Sequence, residues 1–154
     1  MRGKLAIAIA ATAVIALGLG ISVAISSPKI SSPTTLKFKD KTMQSRFVDV
    51  DGSRSFTLGD TFVFTDALLK AGNVVGHGGG HCIATGKHPS RFECEATFKV
   101  AGGSIGLQTT YIGEPHHIRL IVTGGTGTFR NARGSGVLTE RRLRAAILRL
   151  EMLP

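Results

Sequence analysis

Val122 to Gly136 reads V-T-G-G-T-G-T-F-R-N-A-R-G-S-G. Just before it, Ile118, Leu120 and Val122 alternate with His117, Arg119 and Ile121, a strand-like run that ends in Gly124-Gly125-Thr126-Gly127. A dinucleotide-binding βαβ unit begins in a similar way. That fingerprint needs a further glycine three positions after Gly127, so that a helix packs close to the strand, and position 130 is Arg. It also needs a long α/β chain after it with an acidic residue roughly 20 positions on, and here the sequence ends at Pro154. The stretch therefore reads as a tight, Gly-rich turn between two strands, with φ > 0 at more than one position.

Strands follow on the N-terminal side of this turn as well. From Arg91 to Val100, residues Phe92, Cys94, Ala96, Phe98 and Val100 share one face, and Glu93, Glu95, Thr97 and Lys99 the other. This is the period-2 pattern of a half-buried strand. Phe62, Phe64 and Leu68 repeat it, as do Ile105 and Leu107. Breaks fall at Asp51-Gly52-Ser53, Gly72-Asn73, Gly86 to Ser90, Gly102-Gly103, Gly113-Glu114-Pro115 and Gly124 to Gly127, which leaves about eight strands and no helix between them. Such spacing predicts an all-β sandwich or a closed up-and-down barrel over 36–154. An eight-stranded barrel has no exposed edge and can just hold one small ligand. The last segment is ambiguous. Leu143, Ile147, Leu150 and Leu153 fit a helical face that the Ala/Leu/Arg composition favours, while Ala146, Leu148, Leu150 and Met152 fit a strand.

Residues 1–26 are a separate object. Arg2 and Lys4 precede an uncharged apolar run from Leu5 to Ile25, and Ser22-Val23-Ala24 offers small residues of the kind a signal peptidase reads. A cleaved export signal is favoured over an uncleaved anchor, and either places the barrel beyond the membrane, secreted or tethered through residues 5–25. A Ser/Pro linker spans 27–35. Without Arg2 and Lys4, 17 of the 19 basic residues remain against 10 acidic ones, a charge of about +7. The basic residues are scattered, apart from Arg141, Arg142 and Arg144, and the chain has no Trp and one Tyr. A base-stacking platform is poorly supplied, so nucleic acid is not expected as a partner. An exported chain with two cysteines can hold a disulfide. If the strands around position 88 pair, Cys82 and Cys94 fall opposite each other on one face; free buried thiols are the other reading.

Asp66 shares the face of Phe62, Phe64 and Leu68. A carboxyl facing the interior of a small barrel has its pKa raised by burial, which marks a candidate for proton chemistry. Asp49 and Asp51 share a face with Phe47, although both also suit a strand end or the turn at Gly52. His77 and His81 share a strand face but Cys82 points to the other, and His116 and His117 diverge, so no metal site is expected. The glycines between His77 and His81 suit a strand that bends or closely approaches its neighbour.

Three stretches taken together resemble one family. They are Leu58-Gly59-Asp60 with Phe64-Thr65-Asp66; Val75-Gly76 through Gly80-His81-Cys82; and Val122 to Gly127 with Phe129 and Gly134. Their order and spacing, over about residues 45–140, resemble the allene oxide cyclases and the related dirigent proteins. The resemblance implies a closed eight-stranded antiparallel β-barrel around an apolar cavity, so that 144–152 is expected as a strand. The cyclases close a fatty-acid epoxide to a cyclopentenone, and dirigent proteins guide the coupling of phenolic intermediates, both by positioning. By position, Asp49 stands where the cyclases have an active-site glutamate, Asp51 where they have an asparagine, and Asp66 where a second asparagine binds a water. Cys82 matches a pocket cysteine and Tyr111 a pocket tyrosine. The two carboxylates lack the N–H donors of those amides. Ala132-Arg133-Gly134 is closer to the dirigent pattern, with Thr128 where dirigent proteins usually have an acid.

The expected function is that of a cyclase or isomerase-like barrel acting on a small hydrophobic ligand without a cofactor. Asp49 and Asp66 would be catalytic, with Asp51, Cys82, Tyr111 and Arg133 holding the ligand. The alternative is a lipocalin-like carrier with the same cavity and no turnover. A homo-oligomer is left open.

Overall fold

Apolar and polar side chains alternate along eight strands: β1 (Thr34–Val48), β2 (Thr61–Lys70), β3 (Asn73–Gly86), β4 (Arg91–Val100), β5 (Gly103–Ile112), β6 (His117–Gly125), β7 (Arg133–Arg141) and β8 (Ala145–Leu153). Each pairs antiparallel with the next, and β8 returns to β1 to close a barrel in sequence order. The expected all-β closed barrel is thus observed. The structure, a computed structural model, describes residues 32–53, 56–141 and 145–153. Residues 1–26, expected to be an export signal or anchor, lie outside the described residues. Among the described residues no helix is long and apolar enough to cross a membrane.

Strand pairing settles the ambiguous C-terminus. Leu148 stands opposite Phe38 on β1 and Leu138 on β7, and Leu148, Leu150 and Met152 are each 1% exposed. Burial against two neighbours outweighs the local helix preference, because strand propensity follows packing. At the other terminus β1 begins at Thr34, opposite Met152, two residues inside the stretch read as a linker.

One end of the barrel is filled. Leu68, Ile105, Val122, Phe129, Leu150 and Met152 pack there in a single cluster. Phe129 is carried by a short 3-10 turn, Gly127–Phe129, and its burial contributes roughly 2 kcal/mol. The Gly-rich motif is therefore more than a tight turn between strands, because it plugs the barrel. Its backbone lies directly on the β4–β5 hairpin, through Thr126 N–H to Ser104 O (3.0 Å) and Thr128 N–H to Gly102 O (2.8 Å). Gly127 has φ +59°, and a Cβ there would lie 2.1 Å from the Gly102 carbonyl. On β3, a Cβ at Gly80 would lie 2.0 Å from the Glu95 carbonyl, so the expected close approach of strands is real.

The other end carries the loop segments 49–53, 56–60, 87–90 and 113–116, and among the described residues it is open. There β5 and β6 part: their register runs only from Ile105 opposite Gly125 to Gln108 opposite Ile121. Beyond it, the Thr109 hydroxyl donates to the Arg119 carbonyl. The site lies beneath this mouth.

Candidate active site in the open half of the barrel

Inward residues of all eight strands leave a cavity of about 320 Å³ below the mouth. Its walls are mainly apolar, with Phe62 and Phe64 from β2, Phe98 from β4, Leu107 and Tyr111 from β5, and Ile118 and Leu120 from β6. Two acids interrupt them.

Asp66 on β2 is 5% exposed and Asp40 on β1 is 7% exposed. Asp66 stands opposite Thr42, and Asp40 opposite Leu68. The two acids are therefore diagonal neighbours on the inner face, with Cα atoms roughly 7–8 Å apart. On their outer sides Asp66 meets Gly78 and Asp40 meets Ala146, residues too small to cover them. One oxygen of each carboxyl, Oδ1, is buried without a hydrogen-bond partner among the described residues. Both line the cavity.

Their electrostatics follow. Burial pushes the Asp40 carboxyl up from 3.8 to about 7, the charge of Asp66 adds to this, and the Lys41 backbone N–H opposes it. Burial also raises Asp66, against a lowering by the Thr42 hydroxyl. The ion pair among the described residues, Arg149 with Glu151, is on the surface and relieves neither. Two like charges so close do not readily ionise together, so near neutral pH the pair holds a proton it can give and an oxygen that can take one.

Of the residues expected from sequence, Asp66, Cys82 and Tyr111 line this cavity. Cys82 faces Cys94 across β3 and β4, and the two are bridged at an S–S distance of 2.04 Å, so they are not free thiols. Tyr111 lies tilted on Phe92, centroids 5.2 Å apart. Its phenol is pushed up, first by burial and then by Glu140 and Glu114, so it stays protonated and can donate.

Asp49 and Asp51 are elsewhere. β1 ends at Val48, so the alternation that would carry Asp49 inward with Phe47 stops before reaching it. Asp49 Oδ1 accepts the N–H groups of Asp51 (3.2 Å) and Gly52 (2.7 Å), and Asp51 Oδ1 accepts that of Ser53 (2.9 Å). They shape the 49–60 loop. Asp60, 1% exposed, locks it: Oδ1 accepts Val50 N–H at 2.9 Å, and Oδ2 accepts Thr57 N–H at 2.7 Å. These backbone bonds hold the Asp60 carboxyl below its ordinary range. Asp49, Asp51 and Asp60 bring ligand-capable oxygens within 4.8 Å of one another, but each of the three also accepts backbone N–H groups of this loop. Arg133 is exposed on the outer face of β7, opposite Leu153 at the filled end, away from the cavity. Asp40 was missed. Its signal was present, since Leu36, Phe38 and Asp40 alternate with Lys37, Lys39 and Lys41.

No protein-family model and no curated protein matches the sequence. Solved structures do share the fold. Pyocyanin demethylase superposes with a TM-score of 0.72 at 24% identity, over 78% of this chain and 100% of that one. A pterocarpan synthase dirigent protein gives 0.63 at 17%, over 79% and 83%. A Diels–Alderase from Streptomyces koyangensis gives 0.62 at 10%, over 81% and 72%. The chain shares the barrel fold of these proteins, a dirigent protein and a cyclase among them, as the resemblance implied. At these identities the likeness is one of fold, and function rests on the residues of the site.

Proposed function

We propose that this barrel is a small-molecule isomerase or cyclase, in which Asp40 and Asp66 move a proton on an apolar substrate held in the cavity. The observation that carries this reading is the pair of buried acids, each with an unpartnered oxygen turned to an apolar void. Burying such groups costs several kcal/mol unless they stay neutral. A carrier needs only the oily walls and gains nothing from that cost, whereas an acid–base catalyst needs a carboxyl tuned towards neutral pH. The structural neighbours are named for three different reactions, which suits a barrel that supplies position and lets a few polar groups choose the chemistry. Tyr111 is the proposed donor that orients the substrate from the mouth. We place the barrel beyond the membrane; the Cys82–Cys94 bridge supports this, since disulfides persist in oxidising compartments.

The test is native mass spectrometry of the full chain for a co-purified molecule, followed by its incubation with fresh protein. Wild type is expected to convert it, and Asp66→Asn to bind it but convert it at least about a hundredfold more slowly. A molecule bound yet returned unchanged by the wild type would make the protein a carrier.

A further inference from the structure

The aromatic residues are segregated. Of eight Phe and one Tyr in the chain, six rings stand at the open end: Phe47, Phe56, Phe62, Phe64, Phe92 and Tyr111. Four form a chain across the mouth. Phe47 meets Phe56 edge-on at 5.0 Å, Phe56 meets Phe92 edge-on at 5.5 Å, and Phe92 leans on Tyr111 at 5.2 Å. Phe56 comes from the loop that Asp60 clasps, next to the pinned Thr57, so it is held across the barrel end rather than left to swing. Phe47 is 40% exposed, Phe56 48% and Phe62 38%, an unusual outlay of apolar ring at one end of a small domain. The filled end, by contrast, is mostly aliphatic.

Edge-to-face rings leave π faces open, and those faces take another flat ring better than a flexible chain. Of the charged groups that line the cavity, Asp40 and Asp66 are buried, and Glu95, Glu140 and Arg141 are exposed. Thr109 is committed to the Arg119 carbonyl. The unpartnered Oδ1 atoms of Asp40 and Asp66 are what the floor presents, and they suit a donor or a positive charge.

We infer that the ligand is a flat aromatic ring system carrying a protonatable nitrogen, its rings against the mouth aromatics and its N–H directed at Asp40 and Asp66. This rests on the reading of the cavity as a ligand site and narrows it to a chemical class. A ligand of this kind supplies the hydrogen bond and charge that the Oδ1 atoms of both acids lack, and it offers the acid pair a proton to remove.

The experiment is fluorescence titration of the full chain with aminoacridine, a planar cation, and with anthracenemethanol, a neutral ring system of similar size, each in competition with decylammonium and decanol. Aminoacridine is expected to bind at least about tenfold tighter than anthracenemethanol. Asp66→Asn is expected to erase that difference while anthracenemethanol still binds, and Phe56→Ala to weaken both ring probes. Equal affinity for the two ring systems, or displacement of aminoacridine by decylammonium at matched concentration, overturns the inference. If decanol enters and no ring does, the ligand class is wrong and the cavity reading stands. If none of the probes enters, the inference and the cavity reading fail together.

Discussion

Asp40 lies one diagonal step from Asp66 across the β1–β2 ladder, with Gly78 and Ala146 on their outer sides, so two carboxyls share a pocket that no other described side chain fills. Neither arrangement is set by one residue. The acids are buried because they replace apolar residues on inward positions, and one oxygen of each stays unpartnered because the flanking positions are small.

The stability of the fold is expected to fall as pH rises. In the unfolded chain Asp40 ionises near 3.8, and in the fold at about 7. Between those values the fold holds a proton that the unfolded chain has lost, so stability is full below about pH 4 and declines until about pH 7. The loss is on the order of 4 kcal/mol. Asp66, also raised, acts with the same sign. Urea unfolding across this window is expected to show the decline in wild type and a flatter profile in Asp40→Asn.

The disulfide closes a short loop, with 12 residues of sequence separation. Changing both Cys82 and Cys94 to Ala is expected to cost about 3 kcal/mol. Equilibrium unfolding measures it, and reduction of the wild type should approach the same value.

Asp60 works in the opposite direction to Asp40. Its carboxyl is held low by backbone N–H groups, so its contribution is present above its ordinary pKa and is lost as pH falls through the lower value of the fold. Asp60→Ala is expected to speed hydrogen exchange at Val50 and Thr57 and to lower the unfolding midpoint, while the β5 and β6 amides stay protected.

Gly80→Ala forces a methyl group against the Glu95 carbonyl. The β3–β4 spacing cannot widen without disturbing the closed barrel, so a loss of about 3 kcal/mol is expected in thermal or urea unfolding.

Much of this was legible in the sequence. The period-2 faces at Phe62–Leu68 and Arg91–Val100, with glycine and proline breaks between, carried the strand count, and the Cys82–Cys94 register followed from the turn near position 88. Asp66 was found for the same reason. Asp49 misled because strand alternation has no marker for where a strand stops, and β1 stops one residue short of it. Asp40 was hidden by its neighbours: Lys37, Lys39 and Lys41 read as scattered surface charge until their alternation with Leu36 and Phe38 is noticed. The mouth aromatics are far apart in sequence, and only closure of the barrel brings Phe47, Phe56 and Phe92 together.

Carbon-13 NMR of aspartate carboxyls, followed through a pH titration, addresses the acid pair itself. Two signals are expected to titrate above 3.8, the one lost in Asp40→Asn with a midpoint near 7, and removal of Asp66 is expected to shift Asp40 downward. Aspartate signals that all titrate at or below their ordinary value would show both carboxyls to be hydrated or paired, and would contradict the account.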